Sequence, residues 1–74
     1  MKNTEKNMRK ISVIIAGRHA TSICLENEFY EELKKIADAK NMSINSLVTE
    51  IDSCRENNNL SSAIRIYILK YLQH

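Results

Sequence analysis

The sequence predicts a mainly α-helical fold with a short β-strand, ordered as strand, helix, helix and a third, C-terminal helix. Three observations carry that expectation. From Ala20 to Leu25 the side chains alternate, Thr21, Ile23 and Leu25 on one side and Ala20, Ser22 and Cys24 on the other, the period of a half-buried strand. The period then lengthens. Phe29, Leu33, Ile36 and Ala37 form one helical stripe, and Ile44, Leu47, Val48 and Ile51 repeat it after a break at Asn41-Met42-Ser43. Beyond Leu60 the chain is apolar around most of a helix, with a narrow polar strip at Arg65, Lys70 and Gln73.

Taken in order, Met1 to Arg9 is a polar tail expected to be disordered. Lys10 to Ala16 alternates Ile11, Val13 and Ile15 with Lys10, Ser12 and Ile14, and its β-branched residues favour a strand. Gly17-Arg18-His19 offers a turn, so this segment and Ala20 to Leu25 are able to form a hairpin within one chain. Asn27 is the expected cap of the first helix, with Glu26, Glu28, Glu31 and Glu32 near its positive end and Glu31 paired with Lys35. Asn41 suits the left-handed stop of that helix, and Ser43 the cap of a second at Ile44 to Cys54. A polar loop, Arg55 to Asn59, leads to a third helix capped by Ser61 and running to the chain's end at His74. Its apolar circumference predicts burial in a core or an interface.

A chain of 74 residues, 43% hydrophobic and 27% charged, suits one small globular domain and not a disordered one. That length seldom buries enough apolar surface without a disulfide, a metal or a partner subunit. Cys24 and Cys54 are the only cysteines and no secretory or membrane-spanning run is present, which predicts reduced thiols, a cytoplasmic location and no membrane association. Oligomerisation is then the expected source of the missing core. Catalysis finds no support: His19 and His74 lie far apart, no metal-ligand spacing or glycine-rich phosphate loop occurs, and no cofactor is expected. Charge is uneven. Residues 1–20 carry +4 and residues 21–74 carry −2, a basic arm on a faintly acidic body that suits a polyanion.

The runs T-S-I-C-L-E-N-E-F-Y, L-K-K-I-A-D and M-S-I-N-S-L-V resemble, in order and spacing, the strand, first helix and serine-capped second helix of the ribbon-helix-helix family. N-L-S-S-A-I-R-I-Y-I-L-K-Y-L resembles the extra C-terminal helix of some of its variants. The resemblance implies a homodimer with an intersubunit antiparallel ribbon, one strand from each copy. Residues 1–19 would be a basic arm with an extra strand at 11–15, and residues 20–74 the domain itself. Ile23, Leu25, Phe29, Leu33, Ile36, Leu47, Val48 and Ile51 would fill the dimer core.

The implied function is that of a transcriptional regulator, such as a repressor, which contacts the major groove and the phosphate backbone of duplex DNA. Ala20, Ser22 and Cys24 would face the bases. Family members usually carry long polar or basic side chains there, so these small ones offer little base discrimination. Phosphates would be held by Lys6, Arg9, Lys10, Arg18 and His19 and by the start of the second helix at Ser43, Ile44, Asn45 and Ser46. Two other readings stay open: an interaction module of the same fold that binds a protein through the C-terminal helix, and an antitoxin of a toxin–antitoxin pair. Width separates the first of these from the DNA reader. A groove about 12 Å wide admits two strands, whereas pairing of 11–15 with 20–25 in both subunits would present four.

Overall fold

The computed structural model describes residues 8–54 and 59–73. They form β1 (Met8–Ile15), β2 (His19–Glu26), α1 (Asn27–Ala39), α2 (Ile44–Cys54) and α3 (Leu60–Leu72). The two strands pair antiparallel along their whole length, from Met8 opposite Glu26 through Ile11 opposite Ile23 to Ile15 opposite His19. Ala16 (φ 55°) and Gly17 (φ 70°) are both left-handed, and the Arg18 amide donates to the Ile15 carbonyl at 3.1 Å. Successive left-handed residues suit the right-handed twist of the strands they join. The strand ending near Leu25 was expected to take its partner from a second copy. Within the chain its neighbour on one edge is β1, the hairpin the sequence also allowed, because a three-residue turn closes at little entropic cost.

Pairing fixes the faces. Odd-numbered residues of both strands turn inward, and Val13, Ile15, Ile23 and Leu25 are buried there. Even-numbered residues turn outward. The turn-proximal half of β2, from His19 to Ser22, is exposed on both faces, so Thr21 does not reach the core despite its inward parity.

The helices cover the inner face. Leu33, Ile36 and Ala37 of α1, Leu47, Val48 and Ile51 of α2, and Ala63, Ile64 and Ile68 of α3 close one core over β1 and β2. Leu25, Leu33, Leu47, Val48, Ile64 and Ile68 are 0% exposed. Of the residues assigned to a dimer core, all but Phe29 are therefore buried by their own chain, and Phe29 packs half-buried against them.

Local signals at the helix ends mostly hold. Asn41 is left-handed (φ 56°), and the amides of Asn41 and Met42 donate to the carbonyls of Asp38 (3.1 Å) and Ala37 (2.8 Å), which closes α1. Ser43 Oγ accepts the Ser46 amide at 3.0 Å and so caps α2. Two caps differ from expectation. β2 runs straight into α1, leaving Glu26 rather than Asn27 at the cap position, with no side-chain cap bond. Asn59, not Ser61, caps α3, its side chain accepting the Ser62 amide at 3.0 Å. The helix pairs also shift by a residue: Glu31 meets Lys34 at 3.8 Å, and Glu32 meets Lys35 at 3.5 Å.

α3 is two-sided rather than buried throughout. Ala63, Ile64 and Ile68 face the core, while Ile66, Leu69 and Leu72 are 44%, 49% and 54% exposed. Most of the Arg55 to Asn59 loop (residues 55–58) and the terminal His74 lie outside the described residues.

Candidate nucleic-acid interface

The outward face of the hairpin gathers the residues expected to read bases. Ala20, Ser22 and Cys24 are exposed on β2, and β1 sets Ile14, Ser12 and Lys10 directly opposite them. Directly opposed side chains on one face sit about 5 Å apart, so each pair offers one composite surface. Lys10 was expected at phosphates. The register places it beside Cys24, among the side chains expected to read bases. Ser12 and Ile14 were not assigned any role. The alternation of Lys10, Ser12 and Ile14 was visible in the sequence, but its meaning depended on which strand lay alongside.

α2 borders this ribbon on the β1 side. Asn45 Oδ1 accepts the Ile14 amide at 3.2 Å, and Thr49 Oγ1, one turn later, accepts the Ala16 amide at 3.1 Å. The Asn45 side chain is thus committed to the sheet edge. The Ser46 amide is committed to Ser43 Oγ, which in turn meets Ser46 Oγ at 3.0 Å. The amides of Ile44 and Asn45 remain as first-turn donors toward an anion. Both residues help line a shallow groove of about 450 Å³, together with Ile11, Ser12, Val13, Tyr30 and Ser43.

The expected phosphate-binding side chains do not form one cluster. Arg9 lies against α1, its guanidinium 4.6 Å from the centre of the Tyr30 ring, which Lys34 approaches at 5.5 Å. Arg18 and His19 are exposed at the turn, at the opposite end of the hairpin. Lys6 lies outside the described residues. Across residues 8–25 there is no carboxylate, while Arg9, Lys10 and Arg18 are cationic. The acidic residues Glu28, Glu31, Glu32 and Asp38 are carried by α1. The carboxylate of the ribbon itself, Glu26 at the end of β2 and opposite Met8, is bound by Arg65 Nε at 2.9 Å. That hydrogen bond holds the Glu26 carboxyl below its ordinary range, so it stays charged and paired. Arg65 Nη2 also approaches the Cys24 carbonyl at 3.5 Å, tying α3 to the outer edge of β2.

Among the described residues no group of His, Cys, Asp and Glu could hold a metal ion, and Cys24 and Cys54 are exposed free thiols. Among the described residues no helix is long and apolar enough to cross a membrane. What the geometry offers is an exposed two-stranded ribbon with a basic bias, flanked by a helix N-terminus. A family model described as ribbon-helix-helix domain matches residues 8–72. The chain belongs to the ribbon-helix-helix family. Comparisons with curated proteins and with solved structures give no match. The ribbon-helix-helix match begins at the first residue of β1 and ends at the last residue of α3, so both lie inside the matched pattern. The family is a non-enzymatic DNA-binding fold whose members typically dimerise.

Proposed function

We propose that this ribbon-helix-helix protein is a DNA-binding transcriptional regulator whose outer hairpin face enters the major groove. The observation that carries the reading is the ribbon itself, two strands with exposed Lys10, Ser12, Ile14, Ala20, Ser22 and Cys24 and no acidic side chain among them. Two strands about 4.8 Å apart fit a groove about 12 Å wide. Ser12 and Ser22 present hydroxyls to base edges, and Ile14 and Ala20 suit thymine methyl groups. Lys10 is the one long cation on that face, able to reach a guanine edge or a phosphate. Arg18 and His19 at the turn, Arg9 beside Tyr30, Lys6, and the α2 start at Ser43, Ile44, Asn45 and Ser46 would meet the backbone on either side. Such contacts give affinity more than discrimination.

The test is a salt titration with a mixed-sequence duplex. Binding should weaken steeply as salt rises, because each neutralised phosphate releases counterions. Lys10→Ala should flatten the dependence, and a protein that leaves the duplex unshifted at low salt is not a DNA binder. A second reading, a protein-interaction module, is favoured by the exposed Ile66, Leu69 and Leu72 row on α3. Leu69→Glu separates the two readings, since it should leave duplex binding intact if the ribbon is the functional face.

A further inference from the structure

We propose that Tyr30 and Lys34, to which the sequence gave no part in binding, join Arg9 in a phosphate-binding site beside the ribbon, with the Tyr30 ring positioning both cations for the DNA backbone. The ligand rests on the DNA-binding reading above; the grouping of the three side chains does not. Three observations support the site. The first is the ring. Tyr30 lies near the start of α1, and Lys34 follows it by one turn on the same helix face. The Arg9 guanidinium sits 4.6 Å over the ring centre and the Lys34 ammonium 5.5 Å from it, so two cations from different elements share one aromatic group. Attraction to the ring offsets part of their mutual repulsion.

Second, both cations keep their donors available. A guanidinium that rests on a ring through its central carbon retains its N–H fork for two parallel bonds to a phosphate. Arg9 is exposed, and among the described residues it meets no carboxylate. Lys34 does meet Glu31, at 3.8 Å, with the two side chains 48% and 54% exposed. An exposed pair of that kind contributes little, so a phosphate can displace it at small cost.

Third, the site adjoins the reading face. Tyr30 lines the same groove as Ser12, whose side chain belongs to the outer face of the hairpin. Arg9 and Lys10 are consecutive on β1 and point to opposite faces, Lys10 outward toward bases and Arg9 over α1. One short stretch of strand thereby supplies a cation to the bases and another to the backbone. Arg18 and His19 lie at the opposite end of the hairpin, so the backbone would be held at both ends of the ribbon. Holding long cationic side chains against a ring before binding also reduces the entropy lost when they meet a phosphate.

The test is the salt dependence of binding to a mixed-sequence duplex, measured for five variants of the full chain. Arg9→Ala and Lys34→Ala should each reduce the slope of log K against log salt by about one per bound copy. Tyr30→Phe keeps the ring and should match the wild type. Tyr30→Leu keeps both charges but frees them, and should weaken binding several-fold at low salt. Lys35→Ala is the control: Lys35 pairs with Glu32 on the same helix and should leave the slope close to that of the wild type. An unchanged slope in Arg9→Ala and Lys34→Ala overturns the proposal, as does a Lys35→Ala slope equal to that of Lys34→Ala, which would reduce the effect to net charge. Those results leave the DNA-binding reading standing, whereas a wild type that ignores the duplex at low salt removes that reading and this site with it.

Discussion

Ala16 is the position where the hairpin is held at a local disadvantage. A left-handed φ of 55° crowds the Cβ of an alanine against its own carbonyl, and only glycine, or asparagine through its short polar side chain, adopts it readily. Gly17, at φ 70°, has no such conflict. Ala16→Asn should therefore stabilise the protein by about 0.5–1 kcal/mol, read as a higher urea midpoint with an unchanged slope. The turn's location was legible from Gly17. Its type was not, because nothing in the sequence announces an alanine in the left-handed region. The candidate site shows the same split. Ala20, Ser22 and Cys24 stood out by alternation alone, whereas Lys10, Ser12 and Ile14 joined them only through the register.

Between elements, two small sets of contacts hold the helices to the hairpin. α2 closes the β1 edge through Asn45 and Thr49. Replacing both with alanine leaves two edge amides to water, so hydrogen exchange at Ile14 and Ala16 should accelerate while exchange at Leu25 changes little. The second contact is Arg65 with Glu26, which fastens α3 to the end of β2. Since the Glu26 carboxyl is held below its ordinary value, it contributes stability at pH above that value and loses it as pH falls through the depressed one. The thermal midpoint of the wild type should then drop more steeply with acidification than that of Glu26→Gln. Lys40 makes a comparable junction, donating to Glu50 Oε2 at 3.1 Å and to the Tyr67 hydroxyl at 2.9 Å, so the end of α1 is tied to both other helices. Helix positions were readable because stripes, Asn41 and Ser43 act within a turn. The caps at Glu26 and Asn59 were misassigned, since the abrupt passage from β2 to α1 and the entry into α3 depend on neighbouring elements.

For the molecule as a whole, the hairpin and α3 convert a strand-helix-helix motif into one closed core. Ile68 is as thoroughly buried as Leu47, although the two belong to helices separated by the 55–58 segment. Ile68→Ala should cost about 2–5 kcal/mol, comparable to Leu47→Ala, and both variants should unfold in a single transition. An α3 that merely decorated the surface would give a far smaller loss. Charge is also organised at this scale. The cationic residues of 8–25 lie on the hairpin, whose carboxylate Glu26 is paired with Arg65, while Glu28, Glu31, Glu32 and Asp38 lie on α1.

The order of elements, the stripes on α1 and α2, and the inward parity of Ile23 and Leu25 were all determined by the sequence alone. These depend on periodicity and residue chemistry over a few positions, which any fold must respect. Which strand lies beside β2, which chain covers Leu33 and Leu47, and which side chains share the outer face were decided only by the tertiary structure. Those are long-range choices, and an alternating strand is equally satisfied by a neighbour from its own chain or from another. Here the turn at Ala16-Gly17 sets β1 beside β2, and the inner face of α3 joins the core over them.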